Sequence, residues 1–449
     1  MIKKLGLSLL HGLVIMLFMA IVGFIVQKTD VIRNIEFLNP VEDAFSGFDL
    51  TDIVFSRLTD QNKADTNITV INIGPLDRAG IAGLIDIINE NDPKVIGLDV
   101  QLEFALDSAQ DAQLEQSISQ VKNMVMVSEM RPNPDSTVKR ADHVKINYQR
   151  FTKHAHTAFA NFITQAKGNQ IEWPTVRSFP PKEAVTKVIL SRGEEKFDTV
   201  SLKEAGRKEK VEYAFGVKVA QLFAPKKAKA FLDRDKDYEV INFTGNVSLI
   251  GKTNFYLQDY QQVFESQANE DAAKAFRRII KDKIVLLGFM GNSLQSRSYD
   301  DKLFTPLNEN YIGRGTPDMY GVVVHANIIS MILRGNFIEQ TPIWVNNLIS
   351  FFVVLITIMF FSYIFIKVGI WYDALTIVIQ LLIVLGMVGL MLVVFSRYAT
   401  KMDLGLGLIG IVLSGIFVEI YHGFIRKLFG WRPPNERKMD KPTVEEEPS

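Results

Sequence analysis

Four polar residues of this chain fall where an α/β protein places ligands. Asp99 closes the run Val-Ile-Gly-Leu-Asp, an apolar stretch of the kind that forms a buried parallel strand. Asp301 lies in the loop after a second such run, Thr305 comes four residues later, and His325 stands at the start of a predicted helix. Open α/β sheets bind ligands outside the carboxyl ends of their strands. Asp99, Asp301, Thr305 and His325 are therefore the candidate ligand-binding residues. A structural role competes with this one: Asp301 and Thr305 order the loop, Pro306 fixes it, and His325 packs, because short polar residues at turns ordinarily serve the backbone.

Other constellations are weaker. His154 and His156 are spaced to share one face of a strand, but a metal site needs three or four convergent ligands, and no positioned carboxylate accompanies them. Gly245 and the Gly251-Lys252-Thr253 triplet approach a phosphate loop, yet five residues separate the glycines where four are needed. A hairpin turn is expected instead. No nucleophile elbow, Ser-His-Asp order or paired carboxylates at a recognisable spacing occur. No enzymatic activity, metal or cofactor is expected.

Composition narrows the classes further. In 449 residues, 50 Lys and Arg balance 50 Asp and Glu, which argues against a nucleic-acid binder. The absence of cysteine excludes disulfides, iron–sulfur ligation, thiolate zinc and cysteine nucleophiles.

The charge is unevenly placed. Residues 343–424 contain six acidic or basic side chains, Lys367, Asp373, Arg397, Lys401, Asp403 and Glu419. These divide three apolar runs, 343–366, 374–395 and 404–424, each near the ~20 residues that cross a bilayer as a helix. A fourth run, 5–26, comes after Lys3 and Lys4 and is too long for the apolar part of a cleaved signal peptide. It reads as an uncleaved signal anchor, with a cleaved peptide as the alternative. Positive charge near the inner ends orients the chain: residues 1–4 in the cytoplasm, 27–342 outside, and a tail, 425–449, inside. Arg397 and Lys401 in the outer loop run against this pattern. The tail has no composition for a core and reads as disordered. On the last helix, Gly410 and Ser414 make a small-x-x-x-small step suited to close packing within one chain or in a homo-oligomer. Glu419, the third candidate packing residue, is expected on one face of that helix with His422, anchoring at the interface in preference to transferring a proton.

Within 27–342, strands at 68–73, 94–100 and 123–127 alternate with helices at 79–89 and 109–121. This order implies a parallel sheet with right-handed crossovers. Another strand is expected at 283–288, and an apolar helix at 319–333 leads towards the membrane. Between them, strands at 158–163 and 238–243 and a helix at 212–222 are expected. The fold class is thus an α/β extracytoplasmic domain with a mainly parallel mixed sheet, plus four transmembrane α-helices.

Four segments resemble the second type of CHASE domain, the extracellular sensory module of bacterial cyclases and histidine kinases. They are Asp52-Ile-Val-Phe-Ser-Arg57, the strand 94–99, Phe159-Ala-Asn-Phe162 with Val176-Arg-Ser-Phe-Pro180, and the strand 283–288 with Asp301-Lys-Leu-Phe-Thr-Pro306 and Tyr320-Gly-Val-Val-Val-His-Ala-Asn327 after it. Three membrane helices after the domain belong to the same pattern. Two features depart from it: Asn72 stands near the end of the first strand where the family usually has an acid, and the usual cytoplasmic output domain is missing. The resemblance implies a sensory domain in the inner membrane of a bacterium, facing the periplasm or the outside. It would bind a small ligand or envelope component and signal through a separate protein partner. The alternative is a structural or adaptor subunit of an envelope complex with no small ligand. A transporter has little support, since there is one intramembrane acid and no repeat.

Overall fold

The computed structural model describes residues 2–28, 64–132, 141–162, 175–247, 254–296, 298–308, 316–368 and 371–425. It divides into two compact units, residues 44–338 and residues 1–43 with 339–449. The segment 52–57 and the tail 426–449 lie outside the described residues.

The chain opens with α1 (Ile2–Lys28). In the larger unit, β1 (Asp65–Asn72), α2 (Arg78–Asn89), β2 (Val95–Asp99), α3 (Ser108–Gln120) and β3 (Met124–Pro132) come in the expected order. Next are β4 (Ala141–Ile146), β5 (His156–Phe159), β6 (Lys187–Ser191) and β7 (Phe197–Ser201). Then come α4 (Phe215–Phe223), α5 (Pro225–Leu232), β8 (Phe255–Asp259), α6 (Tyr260–Glu265), α7 (Glu270–Ile280), β9 (Ile284–Gly288) and α8 (Gly321–Arg334). The strands form one nine-stranded sheet in the order β8-β1-β9-β2-β3-β4-β6-β7, with β5 also on β3.

The sheet is parallel from β8 to β3 and through β5. Its far half is mixed: antiparallel between β3 and β4 and between β6 and β7, parallel between β4 and β6. Among the described residues, three of four small two-stranded ladders are antiparallel too. "Mainly parallel" is thus borne out in part: the half with the βαβ crossovers is wholly parallel, and the far half is mixed. The far half was not legible because its strands are short and partly exposed, with weak alternation. The expected helix at 212–222 begins instead as a short strand, Val211–Tyr213, and the expected strand at 238–243 shortens to Glu239–Val240.

Two apolar layers cover the parallel half. Ile81, Leu84, Ile85 and Ile88 of α2, Leu114 and Ile118 of α3, and Phe276 and Ile280 of α7 pack on one face. They meet Ile71, Ile96, Leu98, Met126, Val285 and Leu287. The opposite face, from alternate positions of the same strands, receives α4 and α8. Close approach there depends on glycine. A β-carbon on Gly97 would lie 2.7 Å from the Phe215 ring, and one on Gly288 would lie 2.7 Å from Val322. Residues 322–333 are all buried, which explains why this helix reads as apolar on every side. It ends at Gly335, in the left-handed conformation with φ 66° that glycine adopts without cost. The Lys227 ammonium binds the Leu333 carbonyl at 2.5 Å.

The second unit holds α1, α9 (Ile343–Val368), α10 (Tyr372–Tyr398) and α11 (Gly405–Ile420), the last continued by a π-helical turn, Tyr421–Ile425. All four helices are long and apolar enough to cross a membrane. Phe18 packs on Phe417 while His11, earlier in α1, meets Tyr421, later in the chain, so α1 runs antiparallel to α11. A short ladder pairs Glu339–Gln340 with Thr400–Lys401. It fixes the start of α9 and the loop between α10 and α11 on one side. Lys401, which runs against the charge rule, belongs to this ladder.

Candidate functional site

The carboxyl edge of the parallel sheet is built by register. Asp259, Asn72, Gly288 and Asp99 occupy matching positions on β8, β1, β9 and β2. Four adjacent strands thus end in one row of polar or side-chain-free positions.

The left of this row is closed. Asn72 is fully buried; its amide donates to Asp259 Oδ1 at 3.1 Å and to the Gly291 carbonyl at 3.0 Å. Its oxygen accepts from Gly74 N at 3.0 Å and Met290 N at 2.7 Å. Asp259 also accepts from Leu294 N at 2.9 Å and caps α6 in a capping box with Gln262. An amide both donates and accepts here, whereas a carboxylate would face Asp259 with like charge.

The right of the row is open. Asp99 points to the α4 and α8 face, and its Oδ2 lies 3.9 Å from where a β-carbon on Gly321, the first residue of α8, would stand. None of the described residues hydrogen-bonds its carboxylate. Burial first, and the Asp301 carboxylate second, push Asp99 up to about 7. Some accessible surface remains on it, and solvent tempers that rise. Asp301 has φ 58°, a conformation aspartate visits when it terminates a turn. Its carbonyl accepts from Gly321 N at 3.2 Å. Its own carboxyl is raised by burial and by Asp300. Lys302 stacks over the Tyr320 and Tyr299 rings at 4.8 and 5.7 Å, and burial lowers its ammonium.

His325 sits one turn along α8 from Gly321. It is 2% exposed, between the Phe215 ring at 5.0 Å and the Phe162 ring at 4.7 Å. Its Nδ1 has no hydrogen-bond partner among the described residues, and burial lowers it to about 3, so the ring is neutral. Phe215 covers Gly97, two residues before Asp99 on the same face of β2, so His325 and Asp99 share that side of the sheet. Thr305 turns elsewhere. Its hydroxyl donates to Asp318 Oδ2 at 2.5 Å, its amide donates to Asp318 Oδ1 at 2.8 Å, and Leu307 N donates to the hydroxyl at 3.3 Å. Asp318, which sequence reasoning missed, is raised by burial to about 6. The four expected residues thus separate into an open pair, Asp99 and Asp301, a neighbouring buried imidazole, and a threonine that orders the loop. Asn72 was the one available signal for the closed half of the row.

The weaker constellations resolve locally. His154 lies in the turn before β5, not on it, and reaches Glu115 at 3.4 Å beside Lys153 and Arg150. It therefore shares no strand face with His156. Among the described residues, no group of three or more metal-capable side chains converges. Gly245 is held by Asn327, which accepts from Thr244 N at 2.9 Å and Gly245 N at 3.3 Å and donates to the Gly245 carbonyl at 3.0 Å. Residues 248–253 lie outside the described set.

In the membrane unit, Gly410 lets α11 approach α9, where a β-carbon would meet Val354 at 2.6 Å. Ser414 is fully buried and donates to the Ile411 carbonyl at 2.6 Å. Glu419 is exposed and takes no part in that packing, whereas His422 is buried. From Tyr421 the helix continues as a π-helical turn, Tyr421–Ile425.

An α/β domain framed by membrane helices, with an open polar position at its sheet edge, has the organisation of a membrane-anchored sensory module. The CHASE2 domain model matches residues 50–366, about seven tenths of the chain, and the chain belongs to the CHASE2 domain family. It is a membrane protein carrying an extracellular sensory domain. No curated protein and no solved structure matches it.

Proposed function

We propose that this protein is a multi-pass sensor of the bacterial cytoplasmic membrane. Its extracytoplasmic domain binds a small ligand or envelope component at the Asp99–Asp301 corner and signals to a separate protein partner. On this reading the protein is neither an enzyme nor a nucleic-acid binder, and residues 27–342 face the periplasm or the outside.

One observation carries the reading. The helix that begins against Asp99 and Asp301 ends at Arg334, nine residues before α9 starts at Ile343. A 14-residue helix is about 21 Å long and, buried along its length, moves as a rod. Occupancy that changes its start changes the pull on α9, provided the ligand prefers one of two positions of the rod.

The test uses the full chain in detergent. Fractionated envelope extract and a panel of polar metabolites are screened for a rise in melting temperature. A sensor yields a compound whose stabilisation is lost in Asp99→Asn and Asp301→Asn and kept in Glu270→Gln, an exposed control on α7. If no small compound stabilises the domain, and a stoichiometric protein does so irrespective of Asp99, the adaptor reading replaces this one.

A further inference from the structure

The membrane helices meet in a cluster that the sensory reading does not use. His11 of α1 and Tyr421 share a buried hydrogen bond, Nδ1 to hydroxyl, at 2.5 Å. His422 stacks on Phe365 of α9, with ring centroids 5.3 Å apart and planes 18° apart. Phe365 meets Tyr372 of α10 edge-on at 5.0 Å, and the Tyr372 hydroxyl binds the Gly415 carbonyl of α11 at 2.9 Å. All four helices converge at this one point. It lies at the opposite end of the bundle from the ladder joining Glu339–Gln340 to Thr400–Lys401.

Two features set the cluster apart from ordinary packing. Polar side chains inside a membrane bundle are costly unless paired, and where retained they mark function. The cluster also coincides with the π-helical turn Tyr421–Ile425. A π turn holds one residue more than an α turn and is less stable alone. Here the His11–Tyr421 bond and the His422–Phe365 stack fix the side chains of two consecutive residues, Tyr421 and His422, inside the bundle. A π turn advances less per residue than the about 100° of an α-helix, so relaxation to α-helix turns the residues after Tyr421 about the helix axis.

We propose that this turn is a register switch. While His11 holds Tyr421, the end of α11 is π-helical; when that bond opens, the turn relaxes to α-helix and rotates the chain beyond Tyr421. Displacement of α9 reaches the switch through Phe365. The inference rests on the sensor reading only for the direction of the signal. Its test uses no ligand, so its failure would leave that reading standing.

The full chain has no cysteine, so introduced thiols report alone. Spin labels at Ile366→Cys and Phe424→Cys, both exposed positions, give one distance distribution in the parent by pulsed electron resonance. Tyr421→Phe removes only the hydroxyl, and His11→Phe removes its partner. Each is expected to shift that distribution by several ångströms. His422→Phe, which keeps the stack, is expected to leave it in place. A second pair, Phe18→Cys with Phe417→Cys, is joined by a short bifunctional thiol reagent and reports α1 against α11, where the native rings lie 5.2 Å apart. Unchanged coupling of this pair, with a shifted first pair, supports a local register change. Unshifted distances in both variants, or loss of the second coupling as well, overturn the switch; the latter would mean that the cluster merely holds α1 in place.

Discussion

Asp99 and Asn72 occupy matching positions on strands of one sheet edge, yet their chemistry is opposite. Asn72 uses every hydrogen-bonding group it has, so replacing it leaves buried partners stranded. Asn72→Asp is expected to cost roughly 2–4 kcal/mol in denaturant unfolding, from lost donors and like charge beside Asp259. Asp99 has a raised carboxyl. Its folded value, about 7, exceeds the unfolded ~3.9, so the folded state holds a proton more tightly between these values. The stability it contributes is therefore greatest at low pH, falls as pH rises from about 4 to about 7, and is level above. Asp99→Asn removes this slope. At pH 8 the variant should be the more stable by on the order of 1–2 kcal/mol, with the difference closing below about pH 5. Equal slopes in both proteins would show that Asp99 does not titrate in this range.

At the level of elements, α8 is the part on which most depends. Its burial all round, its glycine stop and the Lys227 contact at its end make it rigid, and its distance from β9 is set by a missing side chain. Gly288→Ala puts a methyl 2.7 Å from Val322. Overpacking of this kind typically costs about 1–3 kcal/mol, so the melting temperature should fall. Hydrogen exchange should quicken in α8 before it quickens in α2, which packs on the other face of the sheet. Equal acceleration in both helices would mean that the sheet itself, not the seat of α8, is what Gly288 protects.

For the whole molecule, the four apolar helices and the ladder between the start of α9 and the α10–α11 loop make the orientation testable. With the outer envelope opened, a membrane-impermeant maleimide should label Glu195→Cys in intact cells, but Lys367→Cys only after lysis. The reverse pattern would invert the topology. Much of this organisation was legible in the chain. A run of some twenty apolar residues has few stable alternatives to a membrane helix, and 3.6-residue and two-residue periodicities name the β1-α2-β2-α3-β3 elements, because burial of one face dictates both patterns. The segments 94–99, 283–288, 301–306 and 320–327 were legible for the same reason: these stretches carry the core and its turns. Tertiary structure alone decided which strands are neighbours, since register depends on contacts distant in sequence. Only that register aligns Asp259, Asn72, Gly288 and Asp99, separates Thr305 from Asp99, and leaves two carboxyls without a hydrogen-bond partner among the described residues at the start of α8. The π turn was equally hidden. Helical periodicity gives no sign of it, because its first residue, Tyr421, is bonded to His11 at the other end of the chain.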